Sequence, residues 1–162
     1  MGGSTKRGKG KAAKPSPEHA LMELKFPSDT RYLEMVRDLA RRFAEASGFA
    51  AQDAQNIGLA VDEATTNVIE HAYHGSKDRE VEIHFDPEDD TLSIQILHDG
   101  DPLDPAQLPE FDLERFVTDQ RTGGMGVYIM KKVMDRVDYA KAGSGKNMCL
   151  MVRSRKAQPK EE

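Results

Sequence analysis

Glu80-Val81-Glu82-Ile83-His84-Phe85-Asp86-Pro87-Glu88-Asp89-Asp90-Thr91-Leu92-Ser93-Ile94-Gln95-Ile96-Leu97-His98 is the stretch that decides the fold. Val81, Ile83 and Phe85 alternate with polar residues, and Leu92, Ile94 and Ile96 do the same, which predicts strands over 80–85 and 91–98 with one apolar face each. The five residues between, Asp86 to Asp90, are turn formers. Strands joined by so short a connection are antiparallel, so this is not the start of a doubly wound Rossmann sheet.

Upstream, Ala20, Met22, Leu24 and Phe26 alternate at period two and predict a strand from about Glu18, closed by Pro27. Ser28 or Asp29 then caps a helix on which Tyr32, Met35, Val36, Leu39 and Phe43 recur at helical spacing until Gly48. A second helix is expected from about Asp53 to His74, closing at Gly75. Downstream, Pro102, Pro105 and Pro109 break the pattern from Asp99 to about Arg121, leaving room for at most a short helix around Asp112 to Val117. The cluster Gly123-Gly124-Met125-Gly126 opens a helix to about Arg136, and strands over 137–141 and 147–153 flank Gly143-Ser144-Gly145. The order β, α, α, β, β, loop, α, β, β predicts a two-layer α/β sandwich: a mixed, mostly antiparallel sheet with its helices on one face. One domain over 18–153 is expected, between a disordered basic tail, 1–17, and a second disordered tail, 154–162.

Charge and composition exclude several classes of function. The chain has 162 residues, with 23 Lys and Arg against 28 Asp and Glu. Five of the basic residues, Lys6, Arg7, Lys9, Lys11 and Lys14, sit in the N-terminal tail, so the body carries 18 basic against 28 acidic residues. An acidic body argues against nucleic-acid binding, which rests on phosphate neutralisation. No apolar run approaches the ~18 residues needed to span a bilayer, and no signal-peptide core is present, so a cytoplasmic protein without a membrane segment is expected. A single cysteine, Cys149, excludes an intramolecular disulfide, and its run Met148-Cys149-Leu150-Met151-Val152 reads as a buried strand.

Three features carry chemistry. On the second helix Glu63, Asn67 and His71 fall at i, i+4 and i+8, along the edge of the arc formed by Ile57, Val61, Ala64 and Val68. A carboxylate and a carboxamide there can face a cleft between helix and sheet, or form an ordinary solvated flank. The glycines at 123, 124 and 126 leave amides unshielded at a helix start, which suits phosphate or serves as a plain linker. Gly145-Lys146 is not a phosphate loop, because that motif needs glycine at Ala140 and Ser or Thr at Asn147; it reads as a hairpin turn. His71 and His74 lie three apart with no third metal ligand evident.

Together, Asp62-Glu63-Ala64-Thr65-Thr66-Asn67-Val68-Ile69-Glu70-His71-Ala72-Tyr73, then Asp99-Gly100-Asp101-Pro102-Leu103-Asp104-Pro105, then Gly123-Gly124-Met125-Gly126-Val127-Tyr128-Ile129-Met130 resemble the GHKL ATPase superfamily, and within it the anti-sigma factor serine/threonine kinases of bacterial partner switching. The likeness spans residues 19–153 and implies a Bergerat-type ATP-binding fold using ATP and Mg²⁺. By that resemblance Asn67 ligates Mg²⁺, Glu63 is the catalytic base, Gly100 belongs to the first glycine block, and Gly123, Gly124, Met125 and Gly126 meet the triphosphate under a lid over 106–122. Arg121 either reaches the same phosphates or is solvated.

The resemblance also implies a sigma factor and an anti-anti-sigma (antagonist) protein as partners, and admits a homodimer. One departure stands out: aligning Gly100, Pro102, Asp104 and Pro105 puts His98 where the family has its adenine-binding Asp, with Asp99 one residue late. Strand parity turns His98 inward with Leu92, Ile94 and Ile96 and Asp99 outward, unless the strand bulges. The alternative function that His98 raises is a catalytically impaired module of the same fold that sequesters a sigma factor or antagonist.

Overall fold

The computed structural model describes residues 22–104, 106, 114 and 125–155. In chain order these form β1 (Met22–Pro27), a 3₁₀ turn (Thr30–Tyr32), α1 (Leu33–Ala46), α2 (Ala51–Asn67) continued by a π-helical turn (Val68–Ala72), β2 (Glu80–Glu88), β3 (Thr91–His98), α3 (Met125–Val133), β4 (Arg136–Lys141) and β5 (Asn147–Ser154). The expected tails, 1–17 and most of 154–162, lie outside the described residues. Ser154 still belongs to β5, and the Arg155 N–H donates to the Asp90 carbonyl, so order extends past the expected end at 153.

The strand order is β1-β2-β3-β5-β4, and all four pairings are antiparallel where a mixed sheet was expected. β3 and β4 do run in the same direction, as a helical crossover requires, but β5 lies between them and no parallel ladder forms. The central hairpin is tighter than the sequence suggested. β2 runs to Glu88 and only Asp89-Asp90 turn, with Asp89 at φ +38°. Pro87 is tolerated there because, among the described residues, the β1 pairing has already ended at Phe85.

The helices lie on one face. Val81, Ile83, Phe85, Leu92, Ile94 and Ile96 point at Ile57, Val61 and Val68 of the second helix and at Met130 of α3. Burial at these positions stabilises by about 1.5–3 kcal/mol per large side chain. On α1 the buried line runs through Val36, Ala40 and Ala44; Met35, expected inside, is 67% exposed. Two alanines let α1 approach closely, and Leu39 and Phe43 fill its margins, with the Phe43 ring 5.0 Å from that of Phe85. Asp29, rather than Ser28, supplies the cap: its carboxylate accepts from the Arg31 N–H at 3.0 Å. α2 starts two residues before Asp53, which is spent on an ion pair with Arg153 at 2.7 Å. Cys149 is buried as expected, and burial pushes its thiol up to about 12.

Candidate active site

Asn67 ends the regular part of α2 and is 9% exposed, and its Nδ2 has no hydrogen-bond partner among the described residues. A buried carboxamide not locked through its nitrogen keeps its oxygen available for a hard cation, so the residue fits an Mg²⁺ ligand. Glu63 lies one turn before it. Partial burial raises its carboxyl pKa, and the charges of Asp62 and Glu70 push in the same direction. The first turn of α3 packs on this carboxylate: a Cβ built on Gly126 would stand 2.5 Å from Glu63 Oε2. Residues 63 positions apart in the chain are thereby brought into contact, and Met125 is half-buried beside them. Arg121, Gly123 and Gly124 lie outside the described residues, as does most of the expected lid over 106–122.

The π-helical turn breaks the line of Glu63 and Asn67. Inserting a residue into the turn after Asn67 rotates the downstream side chains, and His71 is exposed instead of continuing that line. The turn also presents the Ala72 carbonyl to the glycine loop after β3. It accepts from the Asp101 N–H at 3.0 Å, and a Cβ on Gly100 would lie 2.5 Å from the same oxygen and 2.6 Å from the Tyr73 ring. His74, with φ +52°, pairs with Asp101 at 2.6 Å, and among the described residues neither it nor His71 belongs to a group of three metal-ligating side chains.

Strand parity holds through the end of β3, with no bulge. His98 faces inward at 2% exposure, edge-on to the Tyr73 ring, with Nδ1 unpartnered among the described residues. Burial lowers its pKa against a smaller opposing effect of the Asp99 charge, so the imidazole is neutral. With Pro102, Leu103, Tyr139 and Asn147 it lines a cavity of about 210 Å³. Asp99 points out and is held by Arg79 at 2.9 Å and by the Tyr73 hydroxyl at 3.1 Å. The Arg79 hydrogen bond keeps its carboxyl below the ordinary range.

Residues 26–153 match the histidine kinase-like ATPase domain. The chain belongs to the histidine kinase-like ATPase family. It is 32% identical over 120 residues to the serine-protein kinase RsbW of Bacillus licheniformis, covering 72% of this chain and 75% of that one. It is 34% identical over 132 residues to the serine-protein kinase RsbW of Bacillus pumilus (strain SAFR-032), covering 77% and 80%. The histidine kinase domain from Erythrobacter litoralis EL346 blue-light activated histidine kinase aligns at 16% identity and a TM-score of 0.47, over 80% of this chain and 61% of that one.

Within this histidine kinase-like ATPase the sequence had given no place in the site to Arg79, Tyr139 or Asn147. Asn147 stands opposite His98 in the β3–β5 register and donates from Nδ2 to the Gly100 carbonyl at 2.9 Å, tying the last strand to the glycine loop. Its cross-strand place is readable only once the register is known. Gly145-Lys146 is the expected hairpin turn, with Gly145 at φ +83° and the Ala142 N–H donating to the Lys146 carbonyl. Among the described residues no helix is long and apolar enough to cross a membrane.

Proposed function

We propose that this protein is an ATP-dependent serine/threonine kinase that works in the cytoplasm as an anti-sigma factor of bacterial partner switching, alternating between a sigma factor and the antagonist protein it phosphorylates. Its RsbW relatives are named serine-protein kinases. The observation that carries the reading is the contact of Glu63 with the start of α3, one turn from the buried and unspent carboxamide of Asn67.

Glu63 accepts the proton of the partner's hydroxyl as that oxygen bonds to the terminal phosphorus of ATP and the bond to ADP breaks; the proton later passes to solvent. Its raised basicity brings it closer to the neutral range where a general base is most effective. Asn67 would hold Mg²⁺ through its amide oxygen, and Gly126, with Met125, Gly123 and Gly124, would offer backbone amides to the phosphates. Bound Mg²⁺ supplies charge neutralisation of the triphosphate. His98, Asn147 and Tyr139 would face the base, with Gly100 setting the floor of that pocket, and Arg121 would reach the phosphates.

Asn67→Ala should weaken MgATP binding far more than metal-free ATP binding in calorimetric titrations, because only the former uses the amide oxygen. Equal weakening of both removes Asn67 from the metal site. The second reading, a silent module that sequesters its partner without transfer, is favoured by His98 in the base position with Asp99 tied to Arg79. Label from ATP appearing in an acid-stable phosphoserine on the antagonist decides for the kinase.

A further inference from the structure

On the sheet face turned away from the helices, three metal-ligating side chains converge. Glu23 of β1 stands opposite His84 of β2 in the register, and Glu82 is two residues along β2 on the same side. His84 Nε2 lies 2.5 Å from Glu82 Oε1 and 3.9 Å from Glu23 Oε1, and one ligand atom from each residue lies within 4.8 Å of the others. Two of the three are deeply buried, Glu82 at 8% and His84 at 4% exposure, although charged and imidazole groups are costly to remove from water.

The surrounding contacts hold two of the three donors, Glu82 Oε1 and His84 Nε2, against each other, in a hydrogen bond that an ion would replace. Lys146 Nζ is bonded to Glu82 Oε2 at 2.6 Å, which fixes the carboxylate and leaves Oε1 directed at the ring nitrogen. Lys25 Nζ is 3.9 Å from that same Oε1, beyond hydrogen-bond distance, and its side chain is 52% exposed. His84 Nδ1 is inaccessible and has no hydrogen-bond partner among the described residues, so the ring is oriented through Nε2 alone. Gln95 stands opposite His84 on β3 and shares this face.

We propose that Glu23, Glu82 and His84 form a binding site for a borderline divalent transition metal of the Zn²⁺ class. An imidazole among two carboxylates is the wrong set for Ca²⁺ or Mg²⁺, which take oxygen ligands. Zn²⁺ takes this donor set with Zn–N and Zn–O distances of about 2.0–2.2 Å, which puts tetrahedral ligands roughly 3.3 Å apart. The separations of 2.5 and 3.9 Å bracket that value, and the half-exposed Glu23 is free to close on the ion. Binding displaces Lys25 and moves the ring proton from Nε2 to Nδ1, so the imidazole ligates as the neutral base; it leaves a fourth position for water and clamps edge strand β1 to β2. None of these residues belongs to the kinase site, so this inference stands or falls separately from it.

The test uses the full chain, stripped with a chelator and dialysed, then titrated with Zn²⁺ in a calorimeter and with Co²⁺ by visible absorption. One Zn²⁺ per chain, a raised melting temperature, and the d–d bands of four-coordinate Co²⁺ without a thiolate charge-transfer band are expected. Glu23→Gln alters an exposed side chain and leaves the chelated protein as stable as wild type, yet Glu23→Gln and His84→Gln should each lower Zn²⁺ affinity on the order of tenfold or more. The absence of saturable Zn²⁺ binding, affinity unchanged in Glu23→Gln, or a thiolate band assigning the ion to Cys149 overturns the site.

Discussion

Gly126 and Gly100 both sit where a methyl group would collide, but with different obstacles. At 126 the obstacle is the Glu63 carboxylate, the free end of a flexible side chain that can move aside. Gly126→Ala should therefore leave the urea midpoint nearly unchanged while slowing phosphoryl transfer, by up to ~10²-fold for a group displaced by about 1 Å. At 100 the obstacles are the Ala72 carbonyl and the ring of buried Tyr73, neither of which can retreat, and Gly100→Ala should cost about 1–3 kcal/mol in the same urea experiment. A reversed ranking of the two stability losses would show that the glycine loop, not the Glu63 carboxylate, is the adaptable partner. Glu63→Gln separates chemistry from stability. Its folded pKa is raised, so the carboxylate weakens the fold increasingly as pH rises from its unfolded value through the folded one. Glu63→Gln should melt higher than wild type at neutral pH while transferring phosphate roughly 10² to 10⁴ more slowly. A lower melting temperature, or undiminished transfer, would contradict that trade between stability and function.

At the level of elements, the glycine loop after β3 is fastened by contacts that reach it from the end of the second helix and from the residue before β2. Arg79 bonds Asp99 at 2.9 Å and lies over the Tyr73 ring at 4.9 Å, while the Asp101 N–H is held by the Ala72 carbonyl of the π turn. An exposed ion pair contributes at most about 1 kcal/mol. Arg79→Ala should thus leave global stability nearly intact but speed hydrogen exchange at Asp101, and unchanged exchange there would show that the π turn alone fixes the loop. This arrangement marks the limit of what the sequence revealed. Period-two alternation fixes parity without knowledge of neighbours, so the inward His98 and outward Asp99 were legible, as was the antiparallel hairpin. Helical periodicity presumes 3.6 residues per turn, so it carried His71 onto the line of Glu63 and Asn67 and could not register the extra residue after Asn67. It also placed Met35 inside, since period alone does not say that the line of small residues Val36, Ala40 and Ala44 faces the sheet. The approach of Gly126 to Glu63 has no local signature at all; only the family resemblance set those two segments side by side.

The whole molecule feels the same cavity as a dependence of folding on pH. His98 is buried at the end of the central strand, and burial is the leading cause that holds its pKa below the ordinary value of about 6.5, with the Asp99 charge opposing in part. In the unfolded chain the ring recovers its ordinary affinity for protons. Between the two pKa values the unfolded state binds a proton that the folded state refuses, so stability rises with pH there; it is fully present above about 6.5 and is lost as pH falls toward the folded pKa. The limiting slope for one such group is about 1.4 kcal/mol per pH unit. The carboxylates whose pKa values are lowered, among them Asp99 beside Arg79, act in a separate window below the ordinary carboxylate range, whereas the raised Glu63 and Asp62 act above it with the opposite sign, so the His98 contribution is read from the difference between wild type and variant. Urea midpoints of the wild-type protein should accordingly decline as pH falls below about 6.5, and His98→Gln, close in size and without a titration, should flatten that decline. The same wild-type curve in the variant would mean that the neutral state of the His98 pocket is not what couples proton binding to the fold.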